Sequence, residues 1–304
     1  MSGARFFALG NVSIDDLVFA DSTTMWCVPG GNSIYSALGM AVWGERPQVI
    51  APIGPEYPVE KLGDRIDLGF CRPIERTLRD WGLYEEDGTR HFIFRSKTRN
   101  WIDFSPKVSD LGQGPLPFCH LAPLPWTLHM EIAAALRATG TELISVDPDD
   151  RRLSETPLSE VTRLLQLVDL FMPSRQDVAA IFPERPPLDA LRALRELSPE
   201  TPVIIIKCGA AGAIAHQRNA ADYLEAPSAA ERAVDETGAG DAFCGGALVG
   251  YSQSHTLAEA LTRGAVSASF AVEAVGPAAL VSAPLEIAQQ RLDRMSERIV
   301  ARRL

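Results

Sequence analysis

A glycine turn, a lone carboxylate and a run of small residues stand side by side in "AVDETGAGDAFCGGALVGY", Ala233 to Tyr251. Gly238 and Gly240 allow backbone conformations that side chains with a Cβ resist, and they let a ligand come close to the chain. At the start of a helix, the N–H groups of Gly238, Ala239 and Gly240 form a cradle for an anion. The helix dipole adds partial positive charge there. Asp241 follows in the first helical turn, where the dipole favours an acid for purely local reasons. An anion cradle beside a carboxylate base also suits phosphoryl transfer. The cradle steadies charge on the group in flight, and the base takes the proton of an attacking hydroxyl. The turn is not a GxxxxGK[ST] phosphate loop, and no GxGxxG fingerprint occurs in the chain.

The surrounding elements must bring this turn to a cleft. "RFFALG" reads as a buried strand, with Asn11, Asp15 and Asp16 at its polar tip. Gly30-Gly31 is a loop, and Asn32 or Ser33 caps a helix from Ile34 to Trp43. "RPQVIAPIG" returns as a strand, so the start of the chain is β-loop-α-β. In "IERTLRDWGLYEEDGTRHFIFRSKTRNW", Asp87-Gly88 separates two strand-like stretches and signals a hairpin. This segment, with "LVFA" and "TMWCV", reads as a small sheet standing off the main body, or else as a set of surface loops. From residue 117 strands and helices alternate, "PVIIIKCG" being too continuously apolar for a one-sided strand. "GAIAHQ" and "ADYLEAP" pair as a hairpin. Such alternation predicts a mostly parallel sheet covered on both faces. Ligands then sit outside the carboxyl ends of the strands.

Bulk properties exclude several classes. The chain has 304 residues, 46% hydrophobic and 22% charged, as in ordinary globular proteins. A net charge of −10 speaks against nucleic acid as a partner. Local backbone dipoles still hold phosphate in an acidic protein. Five cysteines without a CxxC pair point to reduced thiols rather than disulfides or zinc. No apolar run reaches the ~18 residues of a membrane span, and the N-terminus lacks a signal-peptide pattern. A cytoplasmic location and no membrane partner are therefore expected.

"VDETGAGDAFCGGALVGY" resembles the second signature of the ribokinase or pfkB-type carbohydrate kinases, whose core is D-T-x-G-A-G-D. The resemblance runs over nearly the whole chain. It implies an α/β, ribokinase-like, doubly wound and mostly parallel sheet with helices on both faces and a small β-sheet lid. One domain would span 1–304, with lid segments near 16–28 and 75–105. The implied activity is ATP-dependent phosphorylation of a hydroxyl on a sugar or sugar-like molecule. A nucleoside acceptor is the alternative within the family. A ligand-binding protein that has lost catalysis is the alternative outside it, and the intact turn counts against it. By this resemblance Asp241 is the catalytic base, and Gly238, Ala239 and Gly240 are the anion hole. Asp235 and Thr237 match positions that bind a monovalent cation such as K+ in some members. In "MPSRQD", Ser174 and Asp177 stand for the family's Asn and magnesium-binding Glu. "KCGAAG" matches its K-x-G-x-x-G turn, which puts Lys207, Gly209 and Gly212 beside the nucleotide. The small-residue helix from Ala265 to Ser269 fits an adenine wall, and fits plain helix packing equally well. ATP, Mg2+ and a small sugar or nucleoside are the implied ligands. A homodimer through the lid sheet is common in the family.

The acceptor side departs from the pattern. Where the family has Gly-Gly-x-x-x-Asn, "GGNSIY" has Tyr35 in place of the Asn, with Gly31 and Asn32 before it. Glu56 in "IGPEYP" replaces an Asp. Asn11, Asp15, Arg90 and Arg151 are further acceptor-side candidates, with Arg95, Asn100 and Asp147 near them. The family uses an Asp near here to bind sugar hydroxyls, Asp15 being favoured over Asp16 for that place, and a carboxylate able to accept two hydrogen bonds suits it. "VDPDDR" resembles the Asp-x-Asn-x-Arg of members acting on acidic sugars, with Asp149 in place of the Asn. Trp26, Tyr35, Trp101 and Phe104 are aromatic enough to stack a base.

Overall fold

The computed structural model describes residues 5–87, 89–95, 100–148 and 150–304, without the side chains of 150–152. Gly88, Asp149 and the Arg151 side chain, all named above, lie outside that description.

Apolar, largely β-branched and aromatic runs build a nine-stranded sheet. Six strands are parallel: β1 (Phe6–Leu9), β4 (Gln48–Ile50), β9 (Phe118–Leu121), β10 (Leu143–Val146), β11 (Leu170–Phe171) and β12 (Val203–Lys207). Beyond β12 the direction reverses through β13 (Ala213–Gln217), β14 (Asp222–Ala226) and β15 (Val300–Arg303), each antiparallel to its neighbour. The "GAIAHQ" and "ADYLEAP" hairpin accounts for two of these. The third, the charged edge strand "VARR", is exposed throughout and carries no periodic apolar signal. Its arginines keep an open sheet edge in water.

Residues alternate between two cores, as the period of a strand requires. Phe6, Ala8, Val203 and Ile205 face one core, and Phe7, Leu9, Ile204 and Ile206 face the other. The first core lies under α1 (Asn32–Ala41), α6 (Ala239–Ser254), α7 (Leu257–Ala271), α8 (Ala278–Val281) and α9 (Leu285–Ser296). The second lies under α2 (Trp126–Ala138), α3 (Leu158–Leu167), α4 (Arg175–Ile181) and α5 (Pro187–Leu197). The small residues of α6 allow backbone contact with its neighbours. A Cβ on Gly245 would lie 2.0 Å from the Ser36 carbonyl of α1, and one on Gly250 would lie 2.4 Å from the Glu259 carbonyl of α7.

The small sheet has the order β3-β2-β7-β8. Its strands are β2 (Ser13–Val18), β3 (Thr24–Gly30), β7 (Leu78–Tyr84) and β8 (Arg90–Phe94). It is wider than the segment 16–28, and Asp15 and Asp16 lie within β2 rather than in a loop at the tip of β1. β7 and β8 flank Asp87 as the hairpin signal requires. A short pair, β5 (Pro52–Ile53) and β6 (Arg72–Pro73), lies between the two sheets in sequence. All five cysteines are free thiols. Among the described residues no helix is long and apolar enough to cross a membrane.

The parallel direction brings one set of loops together. Asn11 follows β1, Asp147 follows β10, Ser174 follows β11 and Lys207 ends β12. These carboxyl ends face the amino terminus of α6.

Candidate active site

Gly238 is the cap of α6, with φ 76° and ψ 0°, in the left-handed region. The conformation turns the chain so that Ala239 and Gly240 start the helix, where first-turn N–H groups lack intrahelical partners; the Ala239 N–H makes one long bond, 3.3 Å, back to the Glu236 carbonyl. A Cβ on Gly238 would lie 2.1 Å from the Tyr35 ring. Tyr35 is 3% exposed and sits at the position of the family's Asn, so it forms the floor of the turn. Gly238→Ala meets both left-handed strain of ~1–2 kcal/mol and this ring. We expect kcat to fall about tenfold or more with the circular dichroism spectrum unchanged. An unaltered kcat, measured as ADP release, would show that the turn does not hold the reacting phosphate.

Asp241 is half-buried in the first turn of α6. Burial, and then the Asp147 carboxylate, push its pKa up to about 8, against the pull of Lys207 and a backbone N–H. Asp147 forms an ion pair with the Lys207 ammonium. Cys244 Sγ lies 3.5 Å from that ammonium and 3.6 Å from the Asp147 carboxylate. Burial alone would lower the lysine's pKa. The Asp147 charge outweighs it, and Lys207 stays protonated well above the usual range. Asp177 closes the group. It caps α4 reciprocally with Ser174: the Ser174 N–H donates to Asp177 at 2.6 Å, and the Asp177 N–H donates to Ser174 Oγ at 3.1 Å. Burial and Asp147 raise the pKa of Asp177 to about 7. Three carboxylates thus face one ammonium, and two of them hold protons more tightly than usual. Such a group gains from added positive charge. Among the described residues no three His, Cys, Asp or Glu side chains are close enough to cage a metal.

Lys207 therefore serves Asp147 first, and the expectation that Asp147 lines the acceptor side gives way to a place at the centre. The signal was present as an acid at the end of the apolar strand "LISVD". Gly209 and Gly212 have φ of 60° and 90°. The Cys208 N–H closes their turn on the Gly212 carbonyl at 2.7 Å. Ala265 and Ser269 are 6% and 1% exposed. Ser269 Oγ donates to the Val266 carbonyl at 2.7 Å and accepts from Arg291 at 2.8 Å. Of the two readings of this helix, close packing accounts for these residues.

On the acceptor side the candidates separate. Asp15 is buried within β2, with a hydrogen bond of 2.9 Å from Ser13. Burial raises its pKa to about 6 despite that bond. Tyr35 and Tyr57 stand near it, their hydroxyls held protonated by burial and by the Asp15 charge. Gly31 caps α1 at φ 107°, against the Asn11 carbonyl. Asn32 is engaged within the protein: it accepts from the Asn11 N–H at 2.7 Å and donates to the Pro123 carbonyl at 2.7 Å. The Asn11 side chain accepts from the Trp101 indole at 2.5 Å and donates to Ser105 Oγ at 3.3 Å and to the Phe104 carbonyl. Asn11 and Asn32 thus tie loops together rather than facing a ligand. Glu56 accepts from the Thr77 N–H at 2.7 Å, so its change from the family's Asp serves a loop. Arg95 pairs with the fully buried Asp16, as does Arg79. Arg90 leaves the acceptor side altogether. Its Nη1 lies 3.0 Å from Asp235 Oδ1 and 2.9 Å from Thr237 Oγ1. Tyr84, which the sequence did not mark, donates to Asp235 Oδ2 at 2.8 Å.

The family model for "pfkB family carbohydrate kinase" matches residues 11–284. A cytidine kinase of Thermococcus kodakarensis is 23% identical over 270 residues, which are 84% of this chain and 91% of the relative. A 2-dehydro-3-deoxygluconokinase of Haemophilus influenzae is 28% identical over 77% of this chain and 82% of its own. Among solved structures, an adenosine kinase from Sinorhizobium meliloti superposes with a TM-score of 0.77 at 18% identity, covering 95% of this chain and 99% of that one. A Methanocaldococcus jannaschii nucleoside kinase of the ribokinase family gives 0.74 at 18% identity, over 96% and 100%.

Proposed function

The chain belongs to the pfkB family of carbohydrate kinases, and from that premise we propose that Asp241 removes the proton of a sugar or nucleoside hydroxyl as it takes the γ-phosphoryl group of ATP. The observation that carries this reading is Asp241 itself. It stands one helical turn from a left-handed glycine cap, in a cleft that raises its pKa to about 8. A base with a pKa near the working pH is the more effective one. The first-turn N–H groups of α6 are proposed to meet the phosphoryl oxygens, the Ala239 N–H by giving up its long bond to Glu236, and Lys207 adds fixed positive charge beside them.

Metal use comes with the family, and magnesium is the ion proposed here. Asp177 and Asp147 are the carboxylates suited to it, directly or through water. When bound with the nucleotide, it would supply the charge that neutralises the phosphates, taking most of its ligands from phosphate and water. Asp177, Asp147 and Asp241 then lose part of their mutual repulsion. The two sheets are read as one catalytic unit, the small one closing over the acceptor to exclude water.

Asp15 is proposed to grip two hydroxyls of the acceptor. Replacing it removes hydrogen bonds to a charged group, each worth about 1.5–3 kcal/mol. Asp15→Asn should raise the acceptor KM roughly 10- to 100-fold with kcat less affected. Wild-type acceptor KM should fall as pH rises through about 6, as Asp15 ionises. A loss confined to kcat would place Asp15 elsewhere in the reaction.

A nucleoside acceptor is favoured by one feature, the aromatic pair Trp101 and Phe94, with ring centroids 6.0 Å apart, beside Asn11. We also propose that a second copy covers the outward face of the small sheet. There Trp26 packs edge-on to Trp81 and is 53% exposed. The deciding experiment is ADP production from MgATP across sugars, polyols, sugar acids and nucleosides, with Asp241→Asn as control. Turnover on one class, absent in the variant, fixes the acceptor. ATP binding without turnover on any of them favours a binding protein.

A further inference from the structure

A guanidinium meets the carboxylate that precedes the Gly238–Gly240 turn. Asp235 Oδ1 accepts from Arg90 Nη1 at 3.0 Å, from the Thr237 N–H at 3.0 Å and from the Thr237 hydroxyl at 2.8 Å. Oδ2 accepts from the Tyr84 hydroxyl at 2.8 Å. The Thr237 hydroxyl, donating to Asp235, also accepts from Arg90 at 2.9 Å. Asp235 is 2% exposed at its side chain, and a second acid, Glu236, lies 3.5 Å from Arg90 Nη2. Binding a cation directly requires oxygen lone pairs converging on one point. Here those of Asp235 and Thr237 are taken up by donors of the chain itself. The two residues do not fit the monovalent ion that the resemblance suggested for them.

We infer that Arg90 is the resident cation of this turn, that it positions the Gly238–Gly240 cradle from the small sheet, and that turnover needs no monovalent metal ion. The inference rests on the reading of Gly238–Gly240 as the phosphate cradle. Arg90 and Tyr84 are direct cross-strand partners at the far end of the β7–β8 hairpin. Both therefore reach Asp235 only when the small sheet lies against the body. On the other side, the Val234 N–H bonds the Val272 carbonyl at 2.7 Å, which joins the turn to the end of α7. The segment before Gly238 is thus held from two directions, from the small sheet and from α7. A buried carboxylate left without its cation is costly, so the turn is ordered when Arg90 is in place. Closure over the acceptor and assembly of the cradle become one event. Arg90 acts through Asp235 and Thr237 and is a positioning residue.

The test compares potassium chloride with tetramethylammonium chloride at equal ionic strength. Two quantities are read on the full chain: turnover with MgATP and the acceptor found by the panel, and the thermal midpoint, which needs no acceptor. For the wild type, both should be the same in the two salts. Arg90→Met should lose about tenfold or more in kcat, with acceptor KM little moved. Potassium, but not tetramethylammonium, should restore part of that rate and raise the variant's midpoint. Arg90→Lys should retain more of the rate than Arg90→Met. A wild type whose turnover or midpoint rises with potassium overturns the inference. So does an Arg90→Met variant that is indifferent to the salt, or one as fast as wild type in tetramethylammonium. Absence of turnover on every acceptor would count against the kinase reading alone, because the two midpoints still decide this one.

Discussion

Asp241→Asn is expected to lose at least ~100-fold in turnover, the scale of a general base, and to gain stability at the same time. The two effects share one cause. Burial and the Asp147 charge raise the pKa of Asp241 from 3.8 to about 8. In the unfolded chain the carboxyl ionises near its ordinary value. The folded protein therefore binds this proton more tightly, and its contribution to stability is fully present below about pH 4. It is lost as pH rises through about 8. Asparagine does not titrate and escapes that loss. Discounted for partial exposure, the variant should be ~1–3 kcal/mol more stable at pH 8–9 and little different near pH 4. Urea unfolding of apo protein at both pH values, beside ADP release at saturating substrates, measures the pair. The wild-type kcat/KM should climb with pH towards about 8, since the free enzyme's base must be unprotonated. Wild-type turnover in the variant would sink the assignment. A variant less stable than wild type at high pH would show that Asp241 is not the strained acid described here.

Lys207→Met is expected to carry the largest cost in stability. Its ammonium and the Asp147 carboxylate have side-chain exposures of only 10% and 6%. Asp177 and Asp241 lie close enough for Asp147 to raise their pKa values. Removing one partner of a buried pair leaves the other charge uncompensated, at ~3–5 kcal/mol. The melting temperature should drop on the order of 10 °C. The pKa values of Asp177 and Asp241 should move further up, because Lys207 is the charge that lowers them. Asp147→Asn in the same background should return much of the stability, which a double-mutant cycle reads as coupling. Strictly additive losses would mean that the two side chains do not depend on each other. Neither variant should keep tight MgATP binding, since Lys207 sits 3.4 Å from where a Cβ on Gly240 would be.

Much of this molecule was legible in short stretches of sequence. The Gly-Ala-Gly turn, its acid and the helix of small residues are neighbours in the chain. Glycine conformations and helix amino termini are local properties, so the motif carries its own geometry. The continuous apolar run "VIII" likewise declares a strand covered on both faces, and alternating strands and helices declare the parallel sheet. Asp87 between two β-rich stretches declares the hairpin. The antiparallel edge was half visible, since one hairpin announced itself. The exposed strand "VARR", with no apolar face, gave no periodic signal.

What each polar side chain meets was not legible, because those partners lie far away along the chain. Arg90 and Asp235 are 145 residues apart, and Lys207 and Asp147 are 60 apart. Asn32 resembles a ligand-binding residue in sequence, yet it is held by Pro123, 91 residues on. A residue type limits what a side chain is able to bind, and only packing selects among the candidates. From sequence alone the chain is a kinase of this family, and its motif marks Asp241 as the candidate base. The tertiary structure decided that the residues just before its glycine turn are held by an arginine of the small sheet, because folding brings one hairpin tip within hydrogen-bond reach of one buried carboxylate.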